Sequence, residues 1–236
     1  MSNHYFQFKN FRIEQDRCAM KVCTDACLFG AWIPTDDTVN TILDIGAGTG
    51  LLSLIMAQKT SAHIDAVEID EAAFLQASEN IAHSMYKDRI SITLSDFNHF
   101  HPSKKYDLII ANPPFYENQV HSTNEKERTA KHATNLNLEN LFTLAVGLLA
   151  ENGKLAILLP YYRKEECLQF AKSLKLSPEQ TIHIQQTPRH DYFRFAALFR
   201  INDSILSKNE FFCIKNATDN YSDTAVALLK PYYLYL

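Results

Sequence analysis

The sequence predicts an α/β fold in which a mostly parallel sheet is flanked by helices. First, short apolar runs typical of buried strands alternate with helical segments from residue 40 to residue 201. Second, a glycine-rich turn connects the first of these runs, which ends at Ile45, to the helical pattern that starts at Leu51. Strands that alternate with helices form parallel sheets with right-handed crossovers.

The order of the elements follows from these patterns. We predict main strands at 40–45, 62–67, 89–94, 106–111, 154–159, 179–186 and 192–201, and helices at 50–59, 70–84, 138–150 and 163–175. The last two strands flank the segment TPRHD and form an antiparallel hairpin, which places one reversed strand in the sheet. A strand near 210–215 and a helix near 222–231 complete the chain.

An extension precedes the first main strand. Residues 4–14 alternate apolar and polar side chains around Lys9-Asn10, which predicts a short hairpin. A helix follows and stops before Pro34, with Thr24 or Asp25 as its N-cap. We therefore expect one domain over 1–236, made of an extension at 1–34, a core sheet at 38–202 and a strand and helix at 203–236.

Composition limits the function classes. The 236 residues, 46% of them hydrophobic, can bury one sizeable core, and the formal charge of −4 gives no overall attraction to nucleic acid. No apolar run approaches the length of a membrane span and no signal peptide is recognisable, so we expect a soluble cytoplasmic protein. The cysteines at 18, 23 and 27 lack zinc-site spacing, and no metal is expected.

The glycine turn is the first candidate site. Glycines at 46, 48 and 50 lack β-carbons, so the backbone can take positive φ and approach a ligand closely. The dinucleotide fingerprint G-x-G-x-x-G does not fit, because the third glycine comes one residue early. The pattern D-x-G-x-G-x-G, which begins at Asp44, resembles motif I of the class I S-adenosylmethionine methyltransferases.

Further polar residues follow neighbouring strands. Glu68 comes about 20 residues after Gly46 at the end of a strand, where an acid can bind ribose hydroxyls. Asp96 ends the next strand and could accept the amino group of an adenine, although a cap or turn role is also open. Because ligands of open α/β sheets bind beyond the carboxyl ends of the strands, these residues are expected to converge on one pocket.

The segment Asn112-Pro113-Pro114-Phe115 follows the strand YDLIIA and is the candidate catalytic stretch. It suggests methyl transfer to a conjugated amino nitrogen, whose N–H groups need acceptors as charge develops. Asn112 Oδ1 and the Pro113 carbonyl can supply them, while the prolines stiffen the loop. Phe115 offers a face on which a base can stack. The stretch resembles motif IV of methyltransferases that act on adenine N6, guanine N2 or glutamine.

Nearly the whole chain resembles the bacterial tRNA1(Val) adenine-37 N6-methyltransferases. The resemblance rests on motifs I and IV and on the block that contains Met20-Lys21-Val22, Thr24-Asp25 and Gly30-Ala31-Trp32. It implies a Rossmann-like class I methyltransferase fold with a seven-stranded, mostly parallel sheet and one antiparallel strand. It also implies S-adenosylmethionine as cofactor and the tRNA anticodon loop as partner, with no obligate protein partner. The chain departs from the family at Cys23 and Ala26, where glycines are expected.

The predicted site residues fall into three groups. The catalytic group is Asn112, Pro113, Pro114 and Phe115. The cofactor-binding group is Lys21, Thr24, Asp44, Gly46, Ala47, Gly48, Gly50, Glu68, Ile69, Asp96, Phe97 and Asn112. The RNA-binding group is Arg128, Lys131, His132, Arg189 and Arg194, from a long polar loop and from the tip of the predicted hairpin.

Other readings stay open at this point. Ribosomal RNA guanine-N2 and protein glutamine-N5 methyltransferases share the NPPF motif, although those families usually carry a second domain. An NAD-linked oxidoreductase is disfavoured by the glycine spacing. A non-catalytic subunit with the same fold is disfavoured by the intact residues 112–115.

Overall fold

The structure, a computed structural model, describes residues 3–113, 137–201 and 207–236. Within these ranges the strands are β1 Tyr5–Gln7, β2 Arg12–Glu14, β3 Thr41–Ile45, β4 His63–Glu68, β5 Ile90–Leu94, β6 Tyr106–Ala111, β7 Leu149–Pro160, β8 Leu176–Gln185, β9 Tyr192–Ile201 and β10 Lys208–Cys213. The helices are α1 Thr24–Trp32, α2 Leu51–Lys59, α3 Glu71–Ala82, α4 Leu138–Leu148, α5 Lys164–Ser173 and α6 Asp223–Leu229. Short 3₁₀ turns cover Lys87–Arg89, Phe97–His99 and Tyr161–Arg163.

The main sheet confirms the predicted fold class but has one strand more than expected. Its order is β10-β8-β9-β7-β6-β3-β4-β5, and β9 runs antiparallel to both of its neighbours. The predicted sheet of seven strands is wrong in number because β10 pairs in parallel with β8, from Lys208 opposite Gln180 to Cys213 opposite Gln185. The tail therefore extends the sheet.

Helices cover both faces of this sheet. On one face α1, α2, α3 and α6 pack over a core that includes Leu28, Ile55 and Leu229. On the other face α4 and α5 pack over a core that includes Phe142 and Phe199. Burial of these apolar side chains supplies the main driving force for the fold. No helix in the described ranges combines the length and the apolar character that crossing a membrane requires.

The predicted N-terminal hairpin is present. Strands β1 and β2 pair antiparallel, from Tyr5 opposite Glu14 to Gln7 opposite Arg12. The turn between them reaches the C-terminal region, where the N–H of Lys9 donates to the carbonyl of Tyr232 at 2.8 Å. The hairpin is therefore part of the same packed unit as the tail.

Element boundaries differ from the predictions in two informative places. Strand β7 begins at Leu149 instead of residue 154, because the chain enters it directly from α4 and bends against β6, where the register shifts. Gly153 permits this contact, since a β-carbon there would lie 2.6 Å from the carbonyl oxygen of Tyr106. The N-cap of α1 is Cys23 and not Thr24 or Asp25, which both lie inside the helix.

Candidate active site

The glycine turn after β3 adopts the conformation that the sequence predicted. Gly46, Gly48 and Gly50 have φ angles of 73°, 56° and 79°, a region that favours glycine. A β-carbon at Gly46 or Gly48 would meet no atom within 4 Å, whereas one at Gly50 would touch Ala77 of α3 at 3.5 Å. Two of the glycines thus border open space, and the third starts α2 close against α3.

The Glu68 carboxylate connects the end of β4 to this turn. Its Oε2 accepts from the backbone N–H of Gly48 at 2.8 Å, and its Oε1 accepts from Ile69 and Asp70, each at 2.9 Å. The Val67 carbonyl also accepts hydrogen bonds from the backbone N–H groups of Gly46 at 2.9 Å and Ala47 at 3.1 Å. Because a carboxylate oxygen can accept two hydrogen bonds, Oε2 keeps a position for a ligand hydroxyl.

Asp44 lies beneath the turn and is almost completely buried. Its Oδ2 accepts from the Ser53 hydroxyl of α2 at 2.6 Å. The pKa of Asp44 is raised to about 6, mainly by burial and slightly by the negative charge of Glu68, while the hydrogen bonds from Ser53 oppose the shift. The carboxyl therefore titrates close to physiological pH and gains from any nearby cation.

Asp96 has a clear structural role at the end of β5. Its Oδ1 accepts from the backbone and side-chain amides of Asn98, both at 2.9 Å, and so caps the 3₁₀ turn. Phe97, the first residue of that turn, is buried against Phe100 with ring centroids 6.5 Å apart. The cap role is therefore realised, and a contact from Asp96 to a ligand remains a prediction.

Asn112 lies beside the glycine turn. Strand β6 pairs with β3 so that Ala111 is opposite Ile45, which puts Asn112 and Gly46 next to each other at the carboxyl edge. Asn112 is half-buried, and no group in the described ranges hydrogen-bonds its amide. Pro113 is buried. The predicted residues that lie outside the described ranges are Pro114, Phe115, Arg128, Lys131 and His132.

These residues occupy four adjacent strand ends. The order β6-β3-β4-β5 brings Asn112, the glycine turn, Glu68 and Asp96 to one edge of the sheet. Strand β4 pairs on one side of β3, and β6 pairs on the other side. The order of the strands therefore reverses at the crevice between β3 and β6, which makes it a topological switch point. Such crevices are where open α/β sheets bind their ligands.

The segment that leads into α1 is held by buried amides that sequence reasoning did not identify. Gln15 Oε1 accepts from the N–H of Val22 at 2.8 Å, and Gln76 Oε1 accepts from the N–H of Arg17 at 3.1 Å. Asn80 Nδ2 donates to the Thr49 carbonyl at 2.9 Å, which connects α3 to the glycine turn. Polar residues on the inner face of an otherwise apolar helix are the signal that could have revealed them.

Between these anchors the segment runs close to the candidate pocket. Burial, together with the negative charges of Glu68 and Asp70, raises the pKa of the Cys18 thiol to about 12. Lys21 is exposed and Thr24 is half-buried at the start of α1. All five cysteines are free, and the described residues contain no cluster of side chains suited to a metal ion.

The two described residues of the predicted RNA-binding group have different surroundings. Arg189 is exposed in the turn between β8 and β9. Arg194 lies inside β9, and its Nε donates to Asp25 Oδ2 at 2.7 Å. The Asp25 carboxylate is buried in the first turn of α1, so this ion pair joins α1 to the carboxyl edge of the sheet.

Comparison with known proteins agrees with this geometry. A family model described as methyltransferase small domain matches residues 26–166. A tRNA1(Val) (adenine(37)-N6)-methyltransferase of Parabacteroides distasonis is 36% identical over 99% of both chains. The protein of the same name from Dyadobacter fermentans is 40% identical over 98% of both chains. The chain belongs to the tRNA1(Val) (adenine(37)-N6)-methyltransferase family.

Solved structures share the fold of this methyltransferase family at low sequence identity. A predicted O-methyltransferase from Agrobacterium tumefaciens superposes with a TM-score of 0.70, covering 89% of this chain and 98% of its own, at 16% identity. A ribosomal protein L11 methylase from Lactobacillus delbrueckii gives a TM-score of 0.59 over 81% of this chain and 84% of its own, at 15% identity. These likenesses establish the fold alone.

The departures from the family pattern cause no backbone strain. Cys23 has φ −126° and ψ 151°, an extended conformation that any residue adopts, and Ala26 lies within α1. Gly30 of the same block lies at a close contact, because a β-carbon there would lie 3.0 Å from the Ile55 side chain, which would have to shift by a few tenths of an ångström. The methyltransferase thus keeps the family glycine at the point where α1 approaches α2.

Proposed function

We propose that this protein transfers a methyl group from S-adenosylmethionine to N6 of adenine 37 in tRNA1(Val). The observation that carries the proposal is the placement of Asn112 beside an open glycine turn on the adjacent strand. It is supported by relatives of that name that are 36% and 40% identical over nearly the full length.

The pocket fits this cofactor in three respects. The open space next to Gly46 and Gly48 accommodates a ligand against the backbone. Glu68 Oε2 keeps an acceptor position for a ribose hydroxyl. Asp44 places a carboxyl under the turn, where cationic groups of the ligand favour its ionised form. The remaining proposed contacts are Lys21, Thr24, Ala47, Gly50, Ile69, Asp96, Phe97 and Asn112.

The chemistry requires positioning more than acid or base catalysis. The bound cofactor supplies an electrophilic methyl group on a sulfonium. The adenine amino group is a weak nucleophile because its lone pair is delocalised into the ring. Acceptors at Asn112 Oδ1 and the Pro113 carbonyl would hold its two N–H groups and favour the tetrahedral nitrogen that forms during transfer. Pro114 and Phe115 remain predictions for this loop.

The tRNA must be recognised locally, because the chain carries a formal charge of −4. Arg189 is exposed and accessible to a phosphate. The Nε of Arg194 is bonded to Asp25, so any contact of Arg194 with RNA would use its other guanidinium nitrogens. Arg128, Lys131 and His132 remain predicted contacts. We further propose that 1–236 acts as one methyltransferase domain and that the protein works in the cytoplasm, where tRNA is modified.

Transfer of a labelled methyl group to bulk unmodified tRNA tests the proposal. Digestion to nucleosides should show label in N6-methyladenosine, and mapping should place it at position 37 of tRNA1(Val). A transcript with guanosine at position 37 is the matched control and should stay unlabelled. Label in guanine N2 or in protein glutamine would refute the proposal, as would calorimetric binding of NAD but not of S-adenosylmethionine.

A further inference from the structure

Four aromatic side chains form one connected cluster at the β10 side of the sheet, here called the aromatic surface. Its members are Tyr161, His183, Tyr192 and Phe211. The rings of His183 and Phe211 stack with centroids 4.9 Å apart, and those of Tyr161 and Tyr192 stack at 5.2 Å. An edge contact of 5.8 Å between His183 and Tyr192 joins the two pairs.

The aromatic surface is uncharged, and a hydrogen bond connects two of its members. The Tyr161 hydroxyl hydrogen-bonds His183 Nδ1 at 3.0 Å. Burial lowers the pKa of His183, and the positive charge of Lys164 lowers it further, so the imidazole is neutral at physiological pH. The imidazole is therefore hydrogen-bonded to the Tyr161 hydroxyl and stacked on the Phe211 ring.

One end of the cluster faces solvent. Phe211 belongs to a paired strand, yet 68% of its surface is exposed. Its neighbour in the register, His183, is buried and stacks on one face of the Phe211 ring from the adjacent strand. Large aromatic rings in such positions are available for stacking with a flat partner.

The aromatic surface lies near the same edge of the sheet as the candidate active site. Ile157 of β7 is opposite Ala111 of β6, so Leu158 is level with Asn112. Tyr161 follows three residues later, on the order of 10 Å along the strand direction at about 3.3 Å per residue. From there the cluster spreads across β9 and β8 to β10, each about 4.8 Å from the next.

Cationic groups border the cluster. The Lys164 ammonium lies 6.0 Å from the centroid of the Tyr161 ring. Arg163 precedes it, and Arg189 lies exposed in the turn that leads into the strand of Tyr192. Aromatic faces flanked by Lys and Arg are the combination that binds single-stranded nucleic acid, with stacking to the bases and cations for the phosphates. Glu166 accepts two hydrogen bonds from Arg163, and the exposed Glu165 pairs with Lys164, so Lys164 is the cation that a phosphate could reach more easily.

We propose that the aromatic surface stacks unpaired bases of the RNA that flank the methylated adenine. The inference rests on the proposed function, because it names the part of the protein that would hold the RNA on either side of the reacting base. It adds the aromatic surface, with Phe211 as its most exposed member, to the parts of the protein that hold the RNA.

The Phe211→Thr variant tests the proposal. Threonine keeps the strand preference and removes the exposed ring. Since stacking on an aromatic side chain contributes about 1–3 kcal/mol per base, we expect the KM for tRNA to rise about tenfold. The kcat at saturating tRNA and the Kd for S-adenosylmethionine should stay within about twofold of the wild type. The matched control is Tyr235→Ala, which removes a ring that is 92% exposed in the C-terminal tail, and it should leave all three values unchanged.

A second measurement reports stacking directly. An anticodon stem-loop with 2-aminopurine next to position 37 should lose fluorescence on binding the wild type and lose less on binding Phe211→Thr. An unchanged KM and unchanged quenching in a folded Phe211→Thr variant would overturn the proposed role of the aromatic surface in base stacking while leaving the proposed function intact. The same holds if light scattering shows a dimer that Phe211→Thr dissociates without any effect on tRNA. Absence of tRNA methylation by the wild type would instead refute the proposed function itself.

Discussion

The Glu68 carboxylate accepts a hydrogen bond from the backbone N–H of Gly48 at 2.8 Å. This bond joins the end of β4 to the glycine turn that follows β3, and the same carboxylate accepts from Ile69 and Asp70. Both oxygens therefore face backbone donors. The acid that is proposed to bind the ribose also fixes the shape of the turn on which the cofactor would lie.

Glu68→Gln should consequently weaken both folding and cofactor binding. A glutamine must turn its NH₂ group toward a backbone N–H, which leaves one buried donor unpaired and costs about 1–3 kcal/mol in the free energy of unfolding. Urea denaturation and calorimetric titration of S-adenosylmethionine measure the two effects. Weaker binding with unchanged stability would show that the carboxylate does not hold the turn.

Asn112→Ala should lose methyl transfer while the protein still binds the cofactor. Removal of one preorganised acceptor for a reacting group lowers kcat by about 10²–10³-fold, and the fold should be unaffected because Asn112 has no partner among the described residues. Single-turnover methylation of tRNA gives the rate, and calorimetry gives the Kd for S-adenosylmethionine. A near-normal rate would contradict the proposed mechanism.

Cofactor affinity should fall below pH 6 because of Asp44. Burial raises the pKa of this carboxyl to about 6, and a cationic ligand binds its ionised form better than its neutral form. The Kd for S-adenosylmethionine should therefore rise as the pH decreases from 7 to 5. In the Asp44→Asn variant the Kd at pH 7 should be higher than in the wild type, and it should be nearly independent of pH in this range. A wild-type Kd that is flat across the range would argue against the assignment.

The same carboxyl should leave a signature in the stability of the free protein. Its pKa is higher in the folded state than the ordinary value of 3.8, so the folded state holds the proton more tightly. The stabilisation from this group is complete below about pH 4 and is lost as the pH rises through 6. Comparison of unfolding free energies for the wild type and Asp44→Asn at pH 4 and pH 7 isolates the contribution.

The ion pair between Asp25 and Arg194 should contribute to stability. Removing Arg194 leaves a buried carboxylate without its cation, so Arg194→Met should lower the free energy of unfolding by about 1–3 kcal/mol. Asp25→Asn combined with Arg194→Met should cost less than the sum of the single changes, which a double-mutant cycle measures. If Arg194 also contacts RNA, the KM for tRNA will rise on Arg194→Met even in the Asp25→Asn background. Purely additive stability effects would contradict the pairing.

Local patterns in the sequence were sufficient to predict the fold class and the approximate position of most strand ends. Strands at 106–111 and 192–201 have the predicted limits, and the glycine turn has the predicted conformation. These features depend on neighbouring residues, namely alternating hydrophobicity and glycines that need positive φ. The convergence of Glu68 and Asn112 follows from the rule that parallel strands end at the same edge.

Contacts between distant segments were not predictable in the same way. Thr24 or Asp25 was expected to cap α1, but the N-cap is Cys23, and Asp25 pairs with Arg194, 169 residues further along the chain. Gln76 and Asn80 belong to a helix whose sequence pattern predicts only that one face is buried. Their hydrogen-bond partners are backbone groups of other segments, which the pattern does not predict. The strand near 210–215 was predicted, but its place in the main sheet was not, because an edge strand is positioned by the strand with which it pairs.

The hairpin of β1 and β2 has a consequence for the order in which the chain matures during synthesis. Phe8 bridges to Tyr233, and Lys9 bonds to the carbonyl of Tyr232. Residues 5–14 are synthesised well before Tyr232 and Tyr233, so the hairpin can make these contacts only after the later segment has left the ribosome. A nascent chain that stalls before residue 233 would therefore leave Phe8 without the Tyr233 ring that packs against it in the finished fold.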